Sequence, residues 1–102
     1  MALVYPDSYD DTFIINSVTP EDHEKAEANA IIDADKQGIT DAYYLEKIVV
    51  AMTYVTLSGL QLEADGMPDK AAFYRKEYAR LIRMQRHGDS DSGIFSIELG
   101  RA

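Results

Sequence analysis

Few residues in this chain have the type and spacing that chemistry requires. His23 stands one helical turn from Glu27, with Glu24 beside it. A histidine and a carboxylate one turn apart could begin a metal site. Such a site needs at least a third convergent ligand and an orienting outer shell. No residue is spaced to supply that ligand, so the trio reads as the solvated first turn of a helix. Asp33 and Asp35 suggest paired carboxylates, but residues two apart on a helix do not face each other. Asp89-Ser90-Asp91-Ser92-Gly93 starts like a calcium loop and lacks the twelve-residue frame with its closing glutamate. There is no cysteine, which excludes disulfides, zinc thiolates and a thiol nucleophile. Glycine-rich phosphate loops and nucleophile elbows are also missing from the sequence. The expectation is a non-enzyme with no catalytic residues, no metal and no cofactor.

Charge is the stronger signal. The net charge is −8 over 102 residues, a length that makes one domain. Residues 1–69 carry 3 lysines and 14 acids, whereas residues 70–88 carry 6 lysines and arginines and a single glutamate. Lys76, Arg80, Arg83 and His87 are spaced 4, 3 and 4, with Arg75 and Arg86 alongside, which makes a basic stripe on a helix. Three readings of that stripe stand. It is a solvated amphipathic face. Or it pairs with the acidic part of another copy, head to tail, a contact type that can close into rings. Or it touches a nucleic-acid backbone, with Tyr74 or Tyr78 stacking on bases. The last two tyrosines fall on the apolar stripe, which argues against stacking. Overall acidity also disfavours nucleic acid, because phosphate neutralisation supplies most of that affinity.

These residues must be positioned by helices. Ile48 to Leu62 contains no charge in a chain that is 27% charged. Leu45, Ile48, Met52, Val55, Gly59 and Leu62 recur at spacings of 3 and 4, one helical stripe, with Val49 and Leu60 on one flank and Val50, Tyr54 and Leu57 on the other. The run is shorter than the about 20 apolar residues of a membrane span, so a buried helix is expected. Before it, Thr19 can cap a helix with Pro20 in its first turn and Gly38 as its stop. After it, Asp65-Gly66-Met67-Pro68-Asp69 reverses the chain. The expectation is an all-α, small antiparallel helical bundle with helices over about 20–36, 41–64 and 69–86, the last stopped by Gly88. Gly59 is expected where another backbone packs close, the other reading being a local bend of the helix. Residues 1–18 form an extended arm with a β-prone run at Thr12–Asn16, residues 19–88 the helical core, and residues 89–102 a linker and tail. The start, MALVYPDSYDD, has neither the basic nor the apolar region of a signal peptide. In the tail, Phe95, Ile97 and Leu99 alternate with polar or small residues after Ile94, a strand pattern suited to adding to a partner or, in the alternative reading, to pairing with Thr12–Asn16 as a two-strand ribbon.

The order TPEDHEKAEANAIIDADKQG, then AYYLEKIVVAMTYVTLSGLQLEADG, then a Gly-Met-Pro turn into FYRKEYARLIRMQR and an extended tail is similar to the small head–tail connector (adaptor, neck) proteins of tailed bacteriophages. The resemblance covers roughly residues 19–102 and rests on helix order, helix lengths and the style of the last helix. It implies a structural virion protein, located in the neck and assembled in the host cytoplasm. It implies a ring, commonly of twelve copies, that joins the portal to a tail or neck protein below. DNA would pass through the lumen without sequence-specific binding, and no membrane is involved. Ile94, Phe95, Ile97 and Leu99 become the portal-docking residues. Lys76, Arg80 and Arg83, with the apolar flank Val50, Tyr54 and Leu57, become the subunit interface, where a second copy completes the core. The alternative is a small acidic DNA-associated or DNA-mimicking regulator, also helical.

Overall fold

The computed structural model describes residues 3–90. Every regular element among them is helical. A 3₁₀ turn at Pro6–Ser8 leads to α1 (Thr12–Ile15), α2 (Pro20–Lys36), α3 (Ala42–Leu60) and α4 (Met67–Ser90). The local signals explain the helix starts. Thr19 accepts a hydrogen bond from the Asp22 amide at 3.1 Å, Pro20 opens α2, and Glu21 and Asp22 sit at its positive end. Gly38 ends α2 with φ +75°; its amide bonds Asp35 and the Ile39 amide bonds Ala34, a Schellman cap that buries Ile39. Asp41 caps α3 through the amides of Tyr43 and Tyr44 at 2.9 and 3.2 Å.

Helix α3 is the central element, with α2 and α4 both packed against it. Ala26, Ala30 and Ala34 line the buried side of α2 and allow close approach to its neighbour. One core cluster joins Ala30, Ala34 and Ile39 to Ile48, Val49 and Leu81. The other joins Tyr9, Ile14 and Ala26 to Tyr54, Leu57 and Met67. No described helix is long and apolar enough to cross a membrane.

Three expectations change. The first concerns residues 1–18, read as an extended arm with a β-prone run. Over residues 3–18 the chain turns at Pro6–Ser8, forms α1 where the β-prone run was expected, and packs into the core, with Ile14 fully buried. Asp11 explains this. Its side chain caps α1 through the Ile14 amide at 3.2 Å, while no strand among the described residues offers Phe13-Ile14-Ile15 a ladder. The second concerns helix ends. α3 stops at Leu60 rather than near residue 64, one residue after Gly59, and successive turns follow to Gly66. Gly59 is exposed and a Cβ there would meet nothing within 4 Å, so no backbone approaches it. It weakens the last turn instead. α4 runs through Gly88 to Ser90. The third concerns the buried face of α3. Ile48, Val49, Thr53, Tyr54, Leu57 and Ser58 are buried, whereas Met52 and Val55 are only partly so and Gly59 and Leu62 are exposed. Val49, Tyr54 and Leu57 from the expected flanks join Ile48 of the stripe in the core, whereas Leu60 is exposed.

Candidate functional site

The densest polar chemistry lies where the N-terminal segment crosses the helices. Glu27, buried on α2, is one centre. Its carboxylate accepts from the Val4 amide at 2.6 Å, the Tyr5 amide at 3.0 Å and the Tyr9 hydroxyl at 2.9 Å. Tyr9 also lies 3.3 Å from the Thr53 hydroxyl, and burial, with the carboxylate beside it, pushes its phenol well above the ordinary range. His23, one turn before Glu27, is only 5% exposed. It packs edge-on against the Tyr9 ring, with centroids 4.4 Å apart. The expected solvated first turn is therefore wrong for His23 and Glu27, because the N-terminal segment covers both.

Asp11 is the second centre. Its carboxylate accepts from Tyr74 at 2.6 Å, Lys70 at 2.9 Å and the Ile14 amide, while its own amide donates to the Tyr54 hydroxyl at 2.8 Å. Burial works against its charge, but the donors from Tyr74, Lys70 and Ile14 prevail and hold its carboxyl below the usual value. The same burial and the same carboxylate push the Tyr74 phenol up. An acid, a lysine and a tyrosine in contact invite an acid–base reading. The Asp11 carboxylate is only 5% exposed and already takes three donors, an arrangement that ties three segments together.

Ser8 donates to Glu46, at the edge of a cleft of about 200 Å³. Asp10, Glu46 and Glu77 stand around that cleft, with Val50, Tyr54 and Leu81 among its apolar walls. Among the described residues no group of three or more metal-ligating side chains converges. Asp33 and Asp35 are both exposed, and Asp33 accepts from Gln37, which also donates to Tyr78 at 2.6 Å.

The predicted interface residues divide. Lys76, Arg80 and Arg83 are exposed on α4, as are Arg75 and Arg86. Arg80 holds Glu77 through two nitrogens, at 2.5 and 3.2 Å, which lowers the Glu77 carboxyl. Val50 is partly buried at the cleft. Tyr54 and Leu57 are 1% and 0% exposed. They cannot receive a second copy, because Tyr9, Ile14 and Met67 of their own chain already cover them. The docking residues Ile94, Phe95, Ile97 and Leu99 lie outside the described residues, as does most of the Asp89–Gly93 run. Tyr9, Asp11 and Lys70 were absent from the candidates, and Glu27 appeared only in the possible metal site with His23. The one available signal was Asp11, an acid placed three residues before Ile14 in the manner of a helix cap. No protein-family model, no curated protein and no solved structure matches this chain.

Proposed function

We propose that this chain is a structural subunit of a head–tail connector ring in a tailed bacteriophage, placed in the virion neck between portal and tail. The observation that carries the reading is the separation of surface charge. Arg75, Lys76, Arg80, Arg83 and Arg86 are all exposed on α4, and exposed Phe73 and Met84 accompany them. Exposed acids lie on the other elements, among them Asp7 and Asp10 on the N-terminal segment, Glu21, Asp33 and Asp35 on α2, and Asp41 at the start of α3. A basic face on one element and acidic surface on the others is suited to heterologous association, in which each copy offers a different face to each neighbour, and such contacts close into rings.

In this reading α4 of one copy meets the acidic surface of the next, and Ile94, Phe95, Ile97 and Leu99 dock on the portal. DNA passes through the lumen without specific contacts. Light scattering of the chain alone and mixed with a portal ring tests it. A ring-sized assembly, formed alone or on the portal, is expected. A stable dimer that retards DNA on a gel would replace this reading with that of a DNA-associated regulator.

A further inference from the structure

The N-terminal segment is held by three carboxylates, Asp11, Glu27 and, through the Ser8 hydroxyl, Glu46, of which the first two stand in different surroundings. Asp11 has an ion pair and neighbouring donors. Glu27 holds residues 4, 5 and 9 and shares the face of α2 with a buried histidine one turn away. Nε2 of that histidine, His23, has no hydrogen-bond partner. A buried polar atom without a partner is rare and calls for a reason.

We propose that His23 is a proton-operated latch for the N-terminal strap, residues 3–9, which lies docked on α2 and α3 while the imidazole is neutral and lifts when it takes up a proton.

An imidazolium carries N–H on both nitrogens. Inside the docked strap, the Nε2 proton would have no acceptor, and a buried unpaired charged donor is costly. The carboxylates acting on His23 are those of Glu27 and Glu24, both on its own helix. From the strap it meets the Tyr9 ring, whose phenol stays neutral, and behind that ring stands the equally neutral Tyr54 of α3, 5.6 Å from Tyr9. Glu27 does not reach Nε2 in the docked state, and its carboxylate is held by Val4, Tyr5 and Tyr9, so turning it toward the new proton pulls against those bonds. The other escape is for the strap to lift and admit water. Both routes undock residues 3–9. Asp11 does not follow, because its carboxyl titrates below 3.8. The strap therefore pivots near Asp10 and uncovers Ala26 and Thr53 while α1 stays in place.

The direction of the linkage agrees. Burial lowers the His23 pKa below the ordinary 6.5, against the opposing pull of Glu27 and Glu24. A group depressed in the docked state contributes fully above 6.5, and its contribution is lost as pH falls from there through the docked-state value. This inference stands apart from the connector reading and holds for a single copy.

Nuclear magnetic resonance of the full chain tests it. The chain has only 2 histidines, so His87→Gln assigns the ring signals. Between about pH 7.5 and about pH 5, the intrinsic-rate-corrected protection of the Val4 and Tyr5 amides should fall by about tenfold or more, in step with the His23 titration. The amides of Val49 and Thr53 within α3 should keep theirs. In His23→Gln, Val4 and Tyr5 protection should become flat across this window. In Glu27→Gln, it should be low at both ends, with the His23 titration returning toward 6.5. Should His23→Gln fail to fold, the wild-type titration decides alone. A His23 ring that titrates at or above 6.5, or amide protection that ignores its titration, overturns the latch.

Discussion

Asp11 carries more of the tertiary structure than any other polar residue in the described chain. It caps α1 and receives Tyr74 and Lys70 from α4, and its amide reaches Tyr54 on α3. Asp11→Asn keeps a good cap but loses the charge behind two of those bonds. Lys70 is 39% exposed and can return to water, so most of the loss comes from Tyr74. The expected cost is about 2 kcal/mol, read as a lower urea midpoint at neutral pH. The pH dependence has a definite sign. The folded-state carboxyl is depressed, so its contribution is present above 3.8 and disappears as pH falls through the folded-state value. The wild-type chain should lose this increment on acidification, and Asp11→Asn should lack that part of the slope. Tyr54→Phe should cost about 1–2 kcal/mol in the same assay, because the Asp11 amide would remain buried without an acceptor.

At the scale of elements, two glycines that look alike in sequence behave oppositely. Gly59 lies in α3 on the exposed side, with open space where a Cβ would go. Gly59→Ala should therefore stabilise the chain by about 0.5–1 kcal/mol and raise its helical circular dichroism. Gly66 precedes α4 with φ +81° and has the Phe13 ring 3.7 Å from its missing Cβ. Gly66→Ala should destabilise by about 1–2 kcal/mol, since an L side chain resists that conformation. Thermal unfolding of the two variants side by side checks both signs. The starts of α2 and α3 could be read from sequence because each cap joins residues two or three apart, as Thr19 joins Asp22 and Asp41 joins Tyr43 and Tyr44. The end of α3 could not. The stretch through Ala64 holds good helix formers, and propensity alone does not say where a helix loses its packing partners.

For the whole molecule, the question raised by the sequence was what covers an uncharged fifteen-residue helix. Much of the answer lies in the chain's own N-terminus. Tyr9 and Ile14 fill the flank of Tyr54 and Leu57, which otherwise invited a second copy. The proposed self-association would then use other surfaces, among which are the exposed cations of α4. On the proposed connector reading, Lys76→Glu combined with Arg83→Glu should weaken assembly with a portal ring, with the loss of affinity shrinking as salt rises. Arg80→Glu alone is a less clean probe, because Arg80 already holds Glu77. Sedimentation at two ionic strengths reads the effect, and unchanged assembly in the double variant would remove α4 from the interface.

The sequence by itself determined the helical class of the described residues, the start and stop of α2, the start of α3, and the division of charge between α4 and the rest, while α4 begins at Met67, before the expected residue 69. These depend on residue type and on neighbours within one helical turn. Only the tertiary structure decided that Asp11, which caps α1, is itself anchored by Lys70 and Tyr74, that His23 and Glu27 are buried, and that Val49, Tyr54 and Leu57 rather than Val55 and Gly59 join Ile48 in the core. Each depends on a partner far along the chain. Val4 reaches Glu27 across 23 residues, and Asp11 reaches Tyr74 across 63. Helical periodicity marks which residues can share a face. Which face becomes the interior depends on what packs there, and here a turn-rich N-terminal segment packs beside α2 and α4.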